Sequence, residues 1–68
     1  MMQDLNKIGA NIVRLRKGKN LTQEDLCGIA DIDRSFLSEI ENGHKNFSIQ
    51  VLFKLAKALE VNSEDILQ

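Results

Sequence analysis

The sequence contains no proline, and its only cysteine and histidine are Cys27 and His44. One cysteine cannot close an intramolecular disulfide, and Cys27 with His44 is too small a set for a structural zinc site. No metal or cofactor is implied, and no small-molecule ligand. No apolar run approaches membrane-spanning length. The N-terminus lacks both the basic start and the apolar core of a signal peptide. These absences lead us to expect a cytoplasmic protein with a reduced thiol and no membrane association. Net positive charge is missing too. Nine lysines and arginines face ten aspartates and glutamates, for a net charge of −1. Bulk basicity therefore gives no argument for a nucleic-acid partner.

A catalytic constellation is also missing. The lone His44 has no plausible nucleophile beside it, and no glycine-rich phosphate loop is present. An enzyme is not expected. There is no low-complexity tract, linker or internal repeat. A chain of 68 residues makes one domain over residues 1–68 the expectation. A domain this small needs efficient helix packing or a partner copy to be stable.

What the chain does contain is helical periodicity. Leu5, Ile8, Ile12 and Leu15 recur at helical spacing and form one apolar stripe. Gly18 is the expected C-terminal cap of that helix. Thr22 opens a second helix, with Asp25 as its capping-box partner. Leu26, Ile29 and Ala30 are expected to face inward. Asp31 and Ile32 make a turn, and Asp33 caps a third helix whose buried side is Phe36, Leu37 and Ile40. Asn42 and Gly43 stop it. Ser48 caps a fourth helix running to about Leu59, with a core stripe of Ile49, Leu52, Leu55, Ala56 and Leu59. Asn62, with Asp65, opens a short last helix that carries Ile66 and Leu67. A strand over Val51 to Phe53 is the competing reading. The flanking 3.6-residue period and the helix formers Lys54, Ala56, Lys57 and Ala58 exclude it. The expected fold is all-α, with five helices.

Charge is unevenly spread along the chain. Lys7, Arg14, Arg16, Lys17 and Lys19 fall in the first 20 residues against Asp4 alone. Glu60, Glu64 and Asp65 follow the last lysine, Lys57. A basic side and an acidic far side would fit this pattern.

Residues 21–43 form the most informative stretch. Two short helices joined by a tight turn must cross closely, and Cys27 and Ala30 are small where they would meet. Asp31 tolerates the left-handed backbone such a turn needs. Leu26, Ile32, Leu37 and Ile40 would close the corner. Arg34, Ser35, Ser38 and Glu39 remain on the outer side of the third helix. Arginine can bind guanine O6 and N7, serine can donate or accept, and glutamate can accept from cytosine N4. Any solvated helix face carries such residue types, so for the pair of helices alone an ordinary surface is the favoured reading.

The run from Leu21-Thr22-Gln23-Glu24-Asp25-Leu26 through Ile40-Glu41-Asn42-Gly43 resembles the lambda Cro and repressor type of helix-turn-helix, the XRE family. The likeness continues at Ile12 to Arg16 and at Ala56 to Val61, and spans about residues 5 to 67. The resemblance implies a compact five-helix, lambda-repressor-like DNA-binding domain with its motif at about 22–41. It implies a homodimer on double-stranded operator DNA. Base edges would be read by Arg34, Ser35 and Glu39, with Ser38 nearby. Thr22 and Gln23 would meet the DNA backbone. Asn42 and the loop of His44, Lys45 and Asn46 would touch phosphates. Arg16 and Glu41 match a pair that commonly forms an internal salt bridge.

Three positions depart from the family pattern. The family often has alanine at Cys27 and glycine at Asp31, and the residues here suit both places. Gly28 inside the second helix costs about 1 kcal/mol of propensity relative to alanine. Glu39 is a carboxylate among phosphates, and Arg34 at i−5 lies too far round the helix to pair with it. It either reads a cytosine amino group or acts against wrong sequences.

Cys27 is expected to be buried, and core filling is the first expectation for Phe47 and Phe53, with exposure of one or two of Phe47, Val51 and Phe53 toward a partner as the alternative. Val51, Val61, Ile66 and Leu67 are the candidate dimer surface, since the fourth and fifth helices often supply it in this family. A dimeric, sequence-specific transcription regulator is therefore expected, controlled by its own concentration, by a partner or by cooperativity on DNA. Phage-type repressor, antitoxin and restriction–modification controller are the subtypes considered. The run from Asn46 to Lys54 leans toward a controller. A protein-interaction module of the same fold, with weak or no specific DNA binding, is the alternative.

Overall fold

The computed structural model describes residues 4–68. It contains α1 (Leu5–Gly18), α2 (Gln23–Ala30), α3 (Arg34–Glu41), α4 (Ile49–Leu59) and α5 (Ser63–Leu67). No strand occurs among the described residues.

Helices α1 to α4 each start where a short polar side chain accepts an orphan backbone N–H. Asp4 accepts from the Asn6 amide at 3.0 Å. Thr22 and Asp25 form a reciprocal capping box, at 3.0 Å from Asp25 N to Thr22 Oγ1 and 2.9 Å from Thr22 N to Asp25 Oδ2. Asp33 caps α3 through the Ser35 amide at 3.1 Å. Ser48 caps α4 through Val51 at 3.2 Å. At α5, the Asp65 carboxylate accepts from the Asn62 amide at 3.0 Å.

Helix ends use left-handed residues. Asp31 (φ 58°) ends α2 and Glu60 (φ 58°) ends α4. After α1 the expected role of Gly18 passes elsewhere. Gly18 is still helical, Lys19 is the capping position, and the left-handed residue is Asn20 (φ 59°). The amides of Lys19 and Leu21 both reach back to the Arg16 carbonyl, at 3.1 and 3.0 Å, so the turn closes two residues later than a glycine cap would place it.

Helix α1 packs on α3 and α5, α2 packs on α3 and α4, and α4 packs on α5. Ile12, Leu26, Leu37, Ile40, Leu55, Leu59 and Ile66 are fully enclosed where these helices meet. One close approach had no sequence signal. A Cβ on Gly9 would sit 2.5 Å from the carbonyl oxygens of both Ile40 and Glu41, so α1 and the end of α3 meet at bare backbone. Asn11 Nδ2 donates to the carbonyls of Ile66 and Gln68, each at 2.9 Å, and ties α1 to the end of α5.

Four sequence expectations about packing need correction. Ile29 (59% exposed), Ile49 (63%) and Phe53 (54%) lie outside the core. Packing decides this: α4 turns Leu52, Leu55, Ala56 and Leu59 inward, leaving the face of Ile49 and Phe53 uncovered. Ile66 is completely buried within its own chain and offers no side chain to a second copy.

Candidate nucleic-acid interface

The turn between α2 and α3 orients the outer face of α3. Asp31 reverses the backbone, and the Ile32 amide reaches the Cys27 carbonyl at 3.2 Å. Leu37, Ile40 and Glu41 are then buried, and Phe36 packs against the core. Arg34, Ser35 and Glu39 lie toward solvent, with Ser38 beside them. These four residues line a shallow depression with Gln23 and Asp33. A second depression shares Gln23 and Arg34 and is bordered by Lys17, Asn20, Thr22 and Glu24. The fold thus places the start of α2 beside the start of α3.

Individual side chains are more committed than their types suggest. Ser35 Oγ donates a hydrogen bond to Asp33 Oδ2, the oxygen that also caps α3. Ser35 therefore faces outward chiefly as an acceptor. The Asp33 carboxyl is held below its ordinary range first by that serine and then by the Phe36 amide, with burial opposing. Thr22 Oγ1 accepts from the Asp25 amide at 3.0 Å. The Asp25 carboxyl is likewise lowered by the Thr22 amide and hydroxyl. Asn42 Nδ2 is used at the end of α3, donating to the Ser38 carbonyl at 2.9 Å.

Behind this face lies a buried ion pair. Arg16 Nε and Nη2 bond the two carboxylate oxygens of Glu41 at 2.8 and 3.1 Å. Arg16 Nη1 donates to the Leu21 carbonyl at 2.9 Å. Gln23 Nε2 donates to Glu41 Oε1 at 2.9 Å. Every buried side-chain polar atom among the described residues is satisfied, as low-dielectric surroundings demand. The network locks α1, the start of α2 and the end of α3 together. It also presets Gln23, a tie with no local sequence signature.

Residues 12–66 match the family model HTH_3, described as helix-turn-helix. The chain belongs to this helix-turn-helix family. The control protein C.BamHI of Bacillus amyloliquefaciens is 40% identical over 55 residues, covering 81% of this chain and 67% of that protein. The HTH-type transcriptional regulator y4dJ of Sinorhizobium fredii is 36% identical over 64 residues, covering 93% of this chain and 83% of its own. The crystal structure of the restriction–modification controller protein C.AhdI from Aeromonas hydrophila superposes with a TM-score of 0.90 at 36% identity. That match covers 93% of this chain and 96% of C.AhdI.

In this helix-turn-helix chain His44, Lys45 and Asn46 belong to the loop after α3, and all three reach solvent. The His44 amide bonds the Glu39 carbonyl at 2.9 Å and hangs the loop from α3. Lys45 Nζ lies 3.9 Å from Glu39 Oε1, a partner that sequence spacing did not reveal. The basic and acidic ends of the sequence meet at one point, where Lys19 Nζ lies 3.2 Å from Glu60 Oε1. Val51, Val61 and Leu67 pack partly against the core, whereas Ile49 and Phe53 are the large apolar side chains that α4 leaves exposed. Cys27 is buried, and burial foremost, then the Glu41 and Asp33 carboxylates, push its thiol up. Among the described residues no His/Cys/Asp/Glu group could hold a metal, and no helix is long and apolar enough to cross a membrane.

Proposed function

We propose that this chain is a sequence-specific, DNA-binding transcription regulator of the restriction–modification controller type, acting in the cytoplasm as a homodimer. One observation carries the reading. The outer polar face of α3, with Arg34, Ser35, Ser38 and Glu39, adjoins the start of α2 in a helix-turn-helix domain. The names of C.BamHI and C.AhdI favour the controller subtype.

On this reading α3 enters the major groove, and Arg34 contacts guanine O6 and N7. Thr22, Gln23, Asn42 and the His44–Asn46 loop set position on phosphates. Lys17 joins them because it borders the same depression as Thr22 and Gln23. A second copy meets the first through α4 and α5, with Ile49, Phe53, Val51, Val61 and Leu67 as the contact side chains. Half-sites then lie about 34–36 Å apart.

Selection of bound sites from a random duplex library tests the reading. A palindrome with that spacing is expected. The net charge of −1 and the exposed Ile29 favour the rival interaction module. A salt titration separates the two. A DNA binder weakens steeply as salt rises, with a slope set by the phosphates it neutralises. Failure to select any sequence, with binding absent or flat in salt, would support the interaction module.

A further inference from the structure

Glu39 presents a problem on a surface meant for DNA. Its carboxylate is half-exposed on the outer face of α3, beside Arg34, Ser35 and Ser38. Phosphates repel it, and Arg34 makes no ion pair with it among the described residues. Among those residues, the one cation within 4.0 Å of it is Lys45, at 3.9 Å.

The loop holds Lys45 in that register from both sides. On one side, the Gly43 amide bonds the Ile40 carbonyl at 3.0 Å, and the His44 amide bonds the Glu39 carbonyl at 2.9 Å. Gly43 takes φ +76° against the backbone and side chain of Asn6, where a Cβ would collide. On the other side, Asn46 Oδ1 accepts from the Phe47 amide at 2.9 Å, and Phe47 packs against the core. Lys45 thus lies between the His44 amide, hung on α3, and Phe47, packed against the core, and its ammonium comes within 3.9 Å of Glu39.

Resting on the reading of this face as a DNA-binding surface, we propose that Lys45 is a specificity-determining partner of Glu39. Its ammonium shares its charge between the Glu39 carboxylate and a flanking phosphate. That neutralises the repulsion which would otherwise keep Glu39 out of the groove. Glu39 is then free to accept from a base amino group, with cytosine N4 the matching donor in the major groove. Without Lys45 the same carboxylate becomes a penalty at every sequence. An isolated phosphate contact by Lys45 would behave differently, because it would contribute equally whatever residue occupied position 39.

The test is a double-mutant cycle on the duplex selected by the unaltered protein, using Lys45→Met, Glu39→Gln, the double variant and Lys45→Arg. Every substitution falls on a solvent-facing side chain, and circular dichroism checks that each variant folds. Lys45→Met is expected to weaken binding on the order of tenfold or more with Glu39 present. In the Glu39→Gln background the same change should cost only about two- to threefold. Lys45→Met should also flatten the preference for cytosine at one position of each half-site, and Lys45→Arg should retain it. Equal losses in both backgrounds with unchanged base preference would overturn the pairing and leave the regulator reading intact. If the unaltered protein selects no sequence at all, the regulator reading fails and this proposal falls with it.

Discussion

Some side chains on and behind the outer face of α3 are engaged within the chain and others are free, and that difference sets what each substitution should do. Arg34 makes no side-chain hydrogen bond or ion pair among the described residues, so its guanidinium is available. Arg34→Ala is expected to cost about 1–3 kcal/mol of binding and to relax preference at one base pair, measured by titration against single-base operator variants. Arg16 and Glu41 behave oppositely, because each is 9% exposed and satisfied by the other. Removing one partner leaves a buried charge, at a cost of about 3–5 kcal/mol. A domain of this size rarely holds more than about 3–5 kcal/mol in all. Glu41→Ala should therefore be largely unfolded in urea titrations. Arg16→Met combined with Glu41→Leu should recover much of the loss, because no orphan charge remains. A double variant no more stable than the single one would show that the pair contributes more than mutual neutralisation.

Helices here are set by their ends and by bare glycines. Gly28 lies in α2 with open space around an added Cβ, whereas Gly9 in α1 faces two carbonyl oxygens at 2.5 Å. The same substitution should have opposite signs. Gly28→Ala should stabilise by about 1 kcal/mol, a rise of about 4–8 °C in Tm for a domain this size. Gly9→Ala should lower Tm, since neither backbone can yield without separating α1 from α3. The capping carboxylates give a pH dependence. Asp25 and Asp33 are held below their ordinary value of 3.8 by hydrogen bonds to Thr22 and Ser35. A carboxyl lowered on folding stabilises the native state above its unfolded value and loses that contribution as pH falls through the native one. Replacing both residues with asparagine should leave stability less steep in pH below about 4, as followed by thermal melts across that range.

At the scale of the molecule, the unpartnered apolar face is the feature that asks for a second copy. Ile49 and Phe53 stand one helical turn apart on α4 and are more than half exposed. Ile49 also lines an apolar hollow with Leu5, Phe47 and Leu67. Phe53→Glu should shift sedimentation from dimer toward monomer at equal concentration, with helicity unchanged. A dimer of unaltered strength would move the contact elsewhere. If two subunits read one operator, as proposed, the same variant should lose palindrome affinity far more than half-site affinity.

The sequence by itself determined the helices, their order and the tight turn. Those features rest on bonds within about four residues, as when Thr22 caps through Asp25 or Asp31 takes the left-handed turn. The outward set Arg34, Ser35, Ser38 and Glu39 was readable for the same reason, since helical period alone separates it from Leu37 and Ile40. The Arg16–Glu41 pair was visible only through family likeness, because its members stand 25 residues apart. Tertiary structure decided everything that depends on which segments meet. It left Ile29, Ile49 and Phe53 outside, enclosed Ile66, and brought Lys19 to Glu60. It also gave Gln23 to Glu41 and Lys45 to Glu39. Periodicity marks a side chain as apolar or polar and assigns it a face. Only the packing of one helix on another settles whether that face is covered, and which distant charge stands opposite.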